Sequence, residues 1–308
     1  MFDTGVEAQP RARLGMPRSR ARVRIGLEAL LAAGALAALV LSVAVGPAAW
    51  RADPEKVELT NKHASFSRDS PLGTDDYGRD ILSRLMHGGR RTFAGSLFVL
   101  LGSSGVGLVI GALAGTSRGR VGGLLSRLID AFLGLPSLVI ALGIVGALGT
   151  SFPNLLLALI LTSWPWYARV YRSLFLKERS QDYVLAAVHL GVPRLRVLWR
   201  HIGPNVIGPG LVIVTVNLGN AMLSLAALSF LGLGVQPPTP EWGAMVSDAR
   251  FHFQTHPWLI IAPGLAVSLS VLSVNILGDA LRDALDPRSA RRLGPPALPA
   301  RRRSADAA

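Results

Sequence analysis

Six stretches of this chain, each roughly twenty residues long, are almost wholly apolar, and no other feature constrains its fold as much. They run over about 25–48, 93–116, 128–150, 153–171, 206–231 and 258–280. Crossing the hydrocarbon core of a bilayer takes roughly 20 such residues, and with no water to bond to, the backbone must satisfy itself as a helix or a closed barrel. The sequence therefore predicts an all-α polytopic membrane protein with six transmembrane helices. Charged residues are 17% of the 308 and the mean hydropathy is +0.40, whereas soluble domains carry about 25% charge. The third stretch holds Pro136, tolerable in a packed membrane helix whose neighbours re-satisfy the freed carbonyl. The first, with Glu28 near its start, is followed by GPAAW, as after a signal peptide. Its apolar length exceeds the usual 7–15 residues of such a peptide, roughly speaking, so an uncleaved anchor is expected.

Lys and Arg in the connecting segments set the orientation. With the N-terminus inside, segments 1–24, 117–127, 172–205 and 281–308 hold 22 of these residues and segments 51–92, 149–152 and 232–257 hold 9. Most of the nine lie in 51–92 beside seven acids, so that loop is nearly neutral. Both termini are expected to be cytoplasmic, in a multi-pass protein of the cell membrane. The expected organisation is a disordered basic tail (1–24), a first transmembrane helix (25–50), an extracytoplasmic loop (51–92), a core of five transmembrane helices (93–280) and a cytoplasmic C-terminal tail (281–308). The Arg-, Pro- and Ala-rich tails suit solvent or anionic headgroups. The net charge is +13, but a nucleic-acid binder would cluster Arg with aromatics on one face. Here the arginines sit between apolar runs and at the termini, so no nucleic-acid partner is expected. The absence of cysteine removes disulfides and thiolate metal sites.

One charged segment between two apolar runs, DYVLAAVHLGVPRLRVLWRHIGPN (182–205), sits within the expected cytoplasmic loop 172–205. It reads as two short helices around a turn. Asp182 is placed to cap the first, Gly191 suits the left-handed position after its end, Pro193 suits the first turn of the second, and Pro204 closes it. Ala186 and Ala187 leave a bare patch for close approach of another surface. Leu195, Leu198 and Ile202 form one stripe, with Arg194, Arg196 and Arg200 around it. A helix lying on the headgroups would also give such a stripe, but it does not require Ala-Ala, Gly and Pro at these places.

That placement resembles the cytoplasmic loop of ABC importer permeases: Glu-Ala-Ala, three residues, Gly, nine residues, Ile-x-Leu-Pro. Ala186, Ala187, Gly191 and Pro204 match, while Leu185, His201 and Gly203 replace the Glu, Ile and Leu. PLGTDDYGRDILSRLMHGGR (71–90), SWPWYARVYR (163–172), LSFLGLGVQPPTPEWGAM (228–245) and GDALRDALDPR (278–288) resemble, in order, segments of the dipeptide, oligopeptide and nickel permease family. The likeness covers about 25–288 and points to the member of the heteromeric pair with a long first outer loop. The resemblance implies a type I importer permease fold, a homologous permease partner, two cytoplasmic ATPases that bind ATP and Mg, and an extracytoplasmic binding protein. It implies that the 172–205 loop docks on an ATPase, with Asp182, Leu185, Ala186, Ala187, Gly191, Arg194, Arg196 and Pro204 as the coupling residues. A di- or oligopeptide is the expected solute, with nickel or another small solute as the alternative.

Other chemistries find less support. No G-x-x-x-x-G-K-[ST] loop exists, and none of the three lysines, Lys56, Lys62 and Lys177, follows a glycine, so no cofactor and no enzymatic activity are expected of this chain. Gly107, Gly111 and Gly115 read as a ladder for close helix packing rather than a nucleotide loop. His252 and His256 have metal-ligand spacing but lack carboxylate or His neighbours in order, so no metal site is expected. GTDDYGRD (73–80) reads as a turn and a capped helix rather than a cation site of Asp75, Asp76 and Asp80. Asp130 and Asp279 are expected to pair locally with Arg127 and Arg282. Asn217, Asn220 and Asn275 lie deeper and are candidates to line a pathway. Trp164 and Trp166 flank Pro165, a kink that either shapes a pore or packs. An ion-driven transporter would show inverted repeats and midplane charges, and a membrane-embedded enzyme a convergent set of His, Asp or Ser; neither accounts for residues 182–205.

Overall fold

The computed structural model describes residues 27–117 and 119–285; the tail 1–24 and residues 286–308 lie outside them, while 281–285, expected to open the C-terminal tail, continue the last helix. Eleven α-helices follow one another, and among the described residues no strand forms: α1 (Leu27–Ala49), α2 (Ile81–Thr116), α3 (Arg120–Leu133), α4 (Ser137–Leu148), α5 (Phe152–Arg179), α6 (Asp182–His189), α7 (Arg194–Val197), α8 (Gly203–Val216), α9 (Leu218–Phe230), α10 (Trp242–Ala249) and α11 (Trp258–Leu285). Among the described residues α1, α2 and α11 are each long and apolar enough to cross a membrane. The pairs α3–α4 and α8–α9 meet the same standard when each is taken as one bent unit.

Two of the expected spans are not straight. The stretch 128–150 breaks at Gly134–Pro136, where α3 and α4 meet at 87°. Proline removes a helix donor and pushes the residue before it out of the α region, and here no neighbour restores the helix. The stretch 206–231 bends by 41° at Asn217, between α8 and α9. By contrast α5 runs unbroken through Pro165. The second span begins earlier than its apolar run: α2 starts at Ile81, capped by Asp80, whose Oδ2 accepts from Ser83 N at 2.8 Å and from Trp50 Nε1 at 2.8 Å. The capped helix expected after GTDDYGRD and the span that follows are thus one continuous helix.

The main seam of the bundle joins α2 to α5. A Cβ at Gly111 would stand 2.7 Å from both Ala168 O and Tyr171 Cβ, and one at Gly115 would stand 2.7 Å from Phe175 Cβ. The ladder of small residues lets the two backbones approach to where dispersion is strongest. Ser104 Oγ and Tyr171 Oη add a hydrogen bond of 2.9 Å across the seam.

At one end of the bundle two of the resembling stretches interlock. Glu241 is fully buried, accepts from Thr92 Oγ1 at 2.8 Å and caps α10 through Ala244 N at 3.0 Å. The Trp242 indole donates to Leu85 O at 2.8 Å. Arg84, also buried, donates to Pro54 O and Pro238 O at 3.0 and 2.9 Å and lies 3.4 Å from Asp75. Burying a guanidinium or carboxylate is costly unless its hydrogen-bonding groups are met; both Glu241 oxygens accept, and Arg84 Nη1 donates to two carbonyls with Asp75 beside its Nε. Residues 50–80 are thereby clamped onto α2 and α10. Because α2 begins at this end and finishes beside Arg179, whose Nη1 donates to Thr116 O at 3.3 Å, residues 180–205 lie at the other end.

Candidate functional site

The segment 182–205 forms α6, a turn, α7 and a π-helical turn (Leu198–Ile202) that runs without a break into α8. Gly191 adopts φ +78°, the left-handed conformation expected at the end of α6, and nothing lies within 4 Å of where its Cβ would be. Val184, Ala187, Val197 and Ile202 face inward and join Tyr171 and Phe175 in a common core. The outer face bears Leu190, Leu195 and Trp199, 84%, 67% and 72% exposed, with Ala186, Arg194, Arg196 and Arg200 also exposed. Tyr183 ties the segment to α5 and α8: its hydroxyl bonds to Glu178 and accepts from Asn205 Nδ2 at 2.7 Å. Burial first, and then the bond to Glu178, push this phenol above its usual pKa.

Four details differ from the sequence expectation. Asp182 is the first helical residue rather than the cap; Gln181 holds the cap position, without a side-chain bond. Pro204 does not end a helix, because it sits at the start of α8, directly after the π-helical turn. Ala187 is buried against the chain's own core, three residues from Val184, so only Ala186 of the pair is free for an outside surface. Leu195 points outward while Ile202 is buried, so the stripe is divided between two faces. Leu185, 43% exposed, lines a groove of about 450 Å³ between α6, α7 and Thr116, Ser117 and Val121.

Midway along the bundle, the break at Gly134–Pro136 opens a cavity of about 390 Å³. Polar groups of Ser103, Thr162, Asn217, Asn220 and Ser224 line it, together with Trp166 and Tyr167. Asn217 Nδ2 donates to Ile213 O at 2.8 Å, and its Oδ1 accepts from Asn220 at 3.2 Å. Asn217 and Asn220 thus share the cavity wall. Asn275 does not; it packs against Gly219 where α9 meets α11. Trp164 packs on Phe132 with ring centroids 5.4 Å apart, while Trp166 on the opposite side of Pro165 reaches the cavity. Asp130 pairs not with Arg127 but with Arg169 of α5, at 2.6 Å. Asp279 forms no ion pair with Arg282 among the described residues.

At the opposite end from residues 182–205, the structure gathers residues that sequence order kept apart. His63 and Asp76 come from the 50–80 loop, His252 from the α10–α11 connection, and His256 stacks on His63 with centroids 4.0 Å apart. Burial, and then His256 beside it, push the His63 imidazole below its usual pKa. Burial also raises the Asp248 carboxyl nearby, partly countered by Arg84.

Residues 107–291 match the family described as binding-protein-dependent transport system inner membrane component. The chain belongs to that family. It is similar to the di/tripeptide transport system permease protein DppC of Pseudomonas aeruginosa, 45% identical over 223 residues, 70% of this chain and 72% of the relative. It is 43% identical over 235 residues to the nickel transport system permease protein NikC of Escherichia coli K12, 76% of this chain and 85% of that one. The dipeptide transport system permease protein DppC of Escherichia coli K12 is 44% identical over 217 residues, 70% of this chain and 72% of its own length. The protein is thus a permease subunit of an ABC importer.

Proposed function

We propose that this permease imports a di- or oligopeptide across the cell membrane, driven by cytoplasmic ATPases that grip residues 182–205. Six spans would cross the bilayer, α1, α2, α3–α4, α5, α8–α9 and α11, with both termini in the cytoplasm. A homologous permease would face the cavity at Asn217 and Asn220, two ATPases would bind ATP and Mg, and an extracytoplasmic binding protein would deliver the solute to the end that bears residues 50–80.

The observation that carries this reading is the way the loop is built in. Residues 180 and 181 alone separate α5 from α6, and the π-helical turn passes directly into α8. Val184, Ala187, Val197 and Ile202 lock the loop onto Tyr171 and Phe175, while an apolar and basic face stays outward. A push on Leu190, Leu195 or Trp199 would therefore be delivered to α5 and α8 as rigid bodies. Leu185, in place of the family's Glu, would contribute an apolar contact, and Arg194 and Arg196 would meet acids of the ATPase. The peptide assignment rests on the two DppC relatives; the NikC relative supports nickel as the second reading.

Uptake separates the two. In a strain lacking this transporter, the restored operon should raise accumulation of a labelled dipeptide and leave labelled Ni²⁺ uptake unchanged. Restored Ni²⁺ uptake without peptide uptake would overturn the peptide reading and leave the permease reading standing.

A further inference from the structure

The cluster at His63, Asp76 and His252 has no part in coupling or in the pathway, yet it has the features of a ligand set. One nitrogen of each histidine and one carboxylate oxygen of Asp76 lie within 4.8 Å of one another. His63 Nε2 stands 2.9 Å from Asp76 Oδ1, and His252 Nδ1 stands 3.0 Å from Asp76 Oδ2. Despite those short distances, His63 Nδ1, Asp76 Oδ1 and His252 Nδ1 are buried and have no hydrogen-bond partner in hydrogen-bonding geometry. Buried polar atoms are nearly always satisfied by protein, water or an ion; His63 turns Nε2 to the cluster and Nδ1 away, so Asp76 Oδ1 and His252 Nδ1 are the two facing atoms that call for an occupant.

The neighbouring acids are already engaged. Asp75 Oδ1 accepts from Tyr77 N and Arg79 N at 2.9 Å, and its Oδ2 from Arg79 Nε at 2.7 Å. Asp80 caps α2. Asp76 alone of the three turns toward the histidines. The loop holds His63 in place: its backbone has φ +51°, its N–H donates to Asp75 O at 3.3 Å, and Thr74 N donates to Ala64 O at 3.2 Å. His256 supplies a ring stacked on His63, and Trp258 closes edge-on against His256 at 5.0 Å.

We propose that His63, Asp76 and His252 bind one divalent first-row transition ion, of the Zn²⁺ or Ni²⁺ class, that staples the 50–80 loop to the α10–α11 connection. Two imidazoles and one carboxylate form a borderline N₂O set, which selects such ions over Ca²⁺ or Mg²⁺, whose ligands are oxygens. With metal–ligand bonds of about 2.0–2.2 Å, donor atoms stand roughly 3–4 Å apart, and the two His–Asp76 distances of 2.9 and 3.0 Å fall at the near edge of that range. Water would complete the coordination. His252 lies 189 residues after His63 and 176 after Asp76, and both segments lie at the end that a binding protein would meet; the ion would fix that surface. This inference does not depend on which solute is imported.

The test uses the full chain, purified with its partner subunits in mild detergent through a tag without histidine, stripped with chelator and then given ZnCl₂ or NiCl₂. Elemental analysis after gel filtration should find one ion per chain, and Co²⁺ substitution should give visible ligand-field absorption. Asp76→Asn and His252→Gln should each weaken binding at least tenfold and abolish the metal-dependent rise in melting temperature, while His189→Gln at the other end leaves both unchanged. A wild-type complex that retains no stoichiometric ion at micromolar Zn²⁺ or Ni²⁺ would overturn the proposal. So would an ion retained by monodisperse Asp76→Asn and His252→Gln complexes alike. If His252→Gln fails to assemble, Asp76→Asn decides alone.

Discussion

Gly191 separates a docking role for residues 182–205 from a merely structural one. Its φ of +78° lies where an L-residue with a Cβ is strained by about 1–2 kcal/mol. Space is no obstacle, since nothing lies within 4 Å of the Cβ position. Gly191→Ala and Gly191→Glu therefore carry the same backbone penalty, and Gly191→Asn carries less, because Asn visits the left-handed region more readily. The variants differ in what they present outward: a methyl, an amide, or an extended carboxylate beside Leu190. If an ATPase seats on this face, Glu adds bulk and an unmatched charge at the contact, and a loss of about 1.4 kcal/mol or more of coupling is a tenfold or greater loss of activity. The assay is solute uptake and solute-stimulated ATP hydrolysis at matched membrane levels. Ala and Asn should keep uptake within about threefold of wild type, and Glu should lower it more than tenfold with the complex still inserted. Equal impairment by Ala and Glu would show that strain alone matters here, and full activity of Glu would show that nothing docks on this face.

The other predictions address the packing that holds the two ends. Glu241→Ala removes the acceptor of a buried hydroxyl and the cap of α10, and should cost about 2–4 kcal/mol in thermal or denaturant unfolding, against about 1 kcal/mol for Glu241→Gln. Gly111→Val places branches against Ala168 O and Tyr171 Cβ in the α2–α5 seam; it should lower stability by about 1–3 kcal/mol or abolish assembly, with steady-state membrane level as the readout. Leu185→Glu restores the family residue on an exposed site, and should keep or improve ATPase coupling, measured as hydrolysis per solute imported. Asn220→Leu, in the wall of the cavity, should reduce uptake without changing ATPase binding, whereas Asn275→Leu, outside it, should affect uptake less.

Several features set by a few neighbouring residues were legible in the sequence, though the cap expected at Asp182 was not among them, Gln181 holding that position. The cap at Asp80, the left-handed turn at Gly191 and the glycine ladder of α2 each follow from local chemistry, and the structure has all three. Features set by chain direction or by tertiary closure were not. Counting apolar residues gives the length of 128–150 but not its 87° bend, because hydropathy carries no record of backbone direction; the Gly134–Pro136 break was the available sign. Asp130 found Arg169, 39 residues away, where a local rule offered Arg127. Ala187 was read as an open patch because its burial depends on Tyr171 and Phe175 of another helix. His252 and His256 have no carboxylate or His neighbours in order, and the residues the fold brings beside them, His63 and Asp76, lie more than 170 residues earlier in the chain.

The central claim is that this permease works as one part of an ATP-driven assembly. Mild-detergent isolation of the tagged chain from its own membranes, with quantitative mass spectrometry after cross-linking through the single thiols of the Leu190→Cys and Leu195→Cys variants of this cysteine-free chain, tests it most directly. The account predicts a homologous permease and nucleotide-binding ATPases in fixed ratio, with cross-links from both positions into an ATPase. A stable preparation of this chain alone, with no ATPase cross-linked at either position, would contradict it.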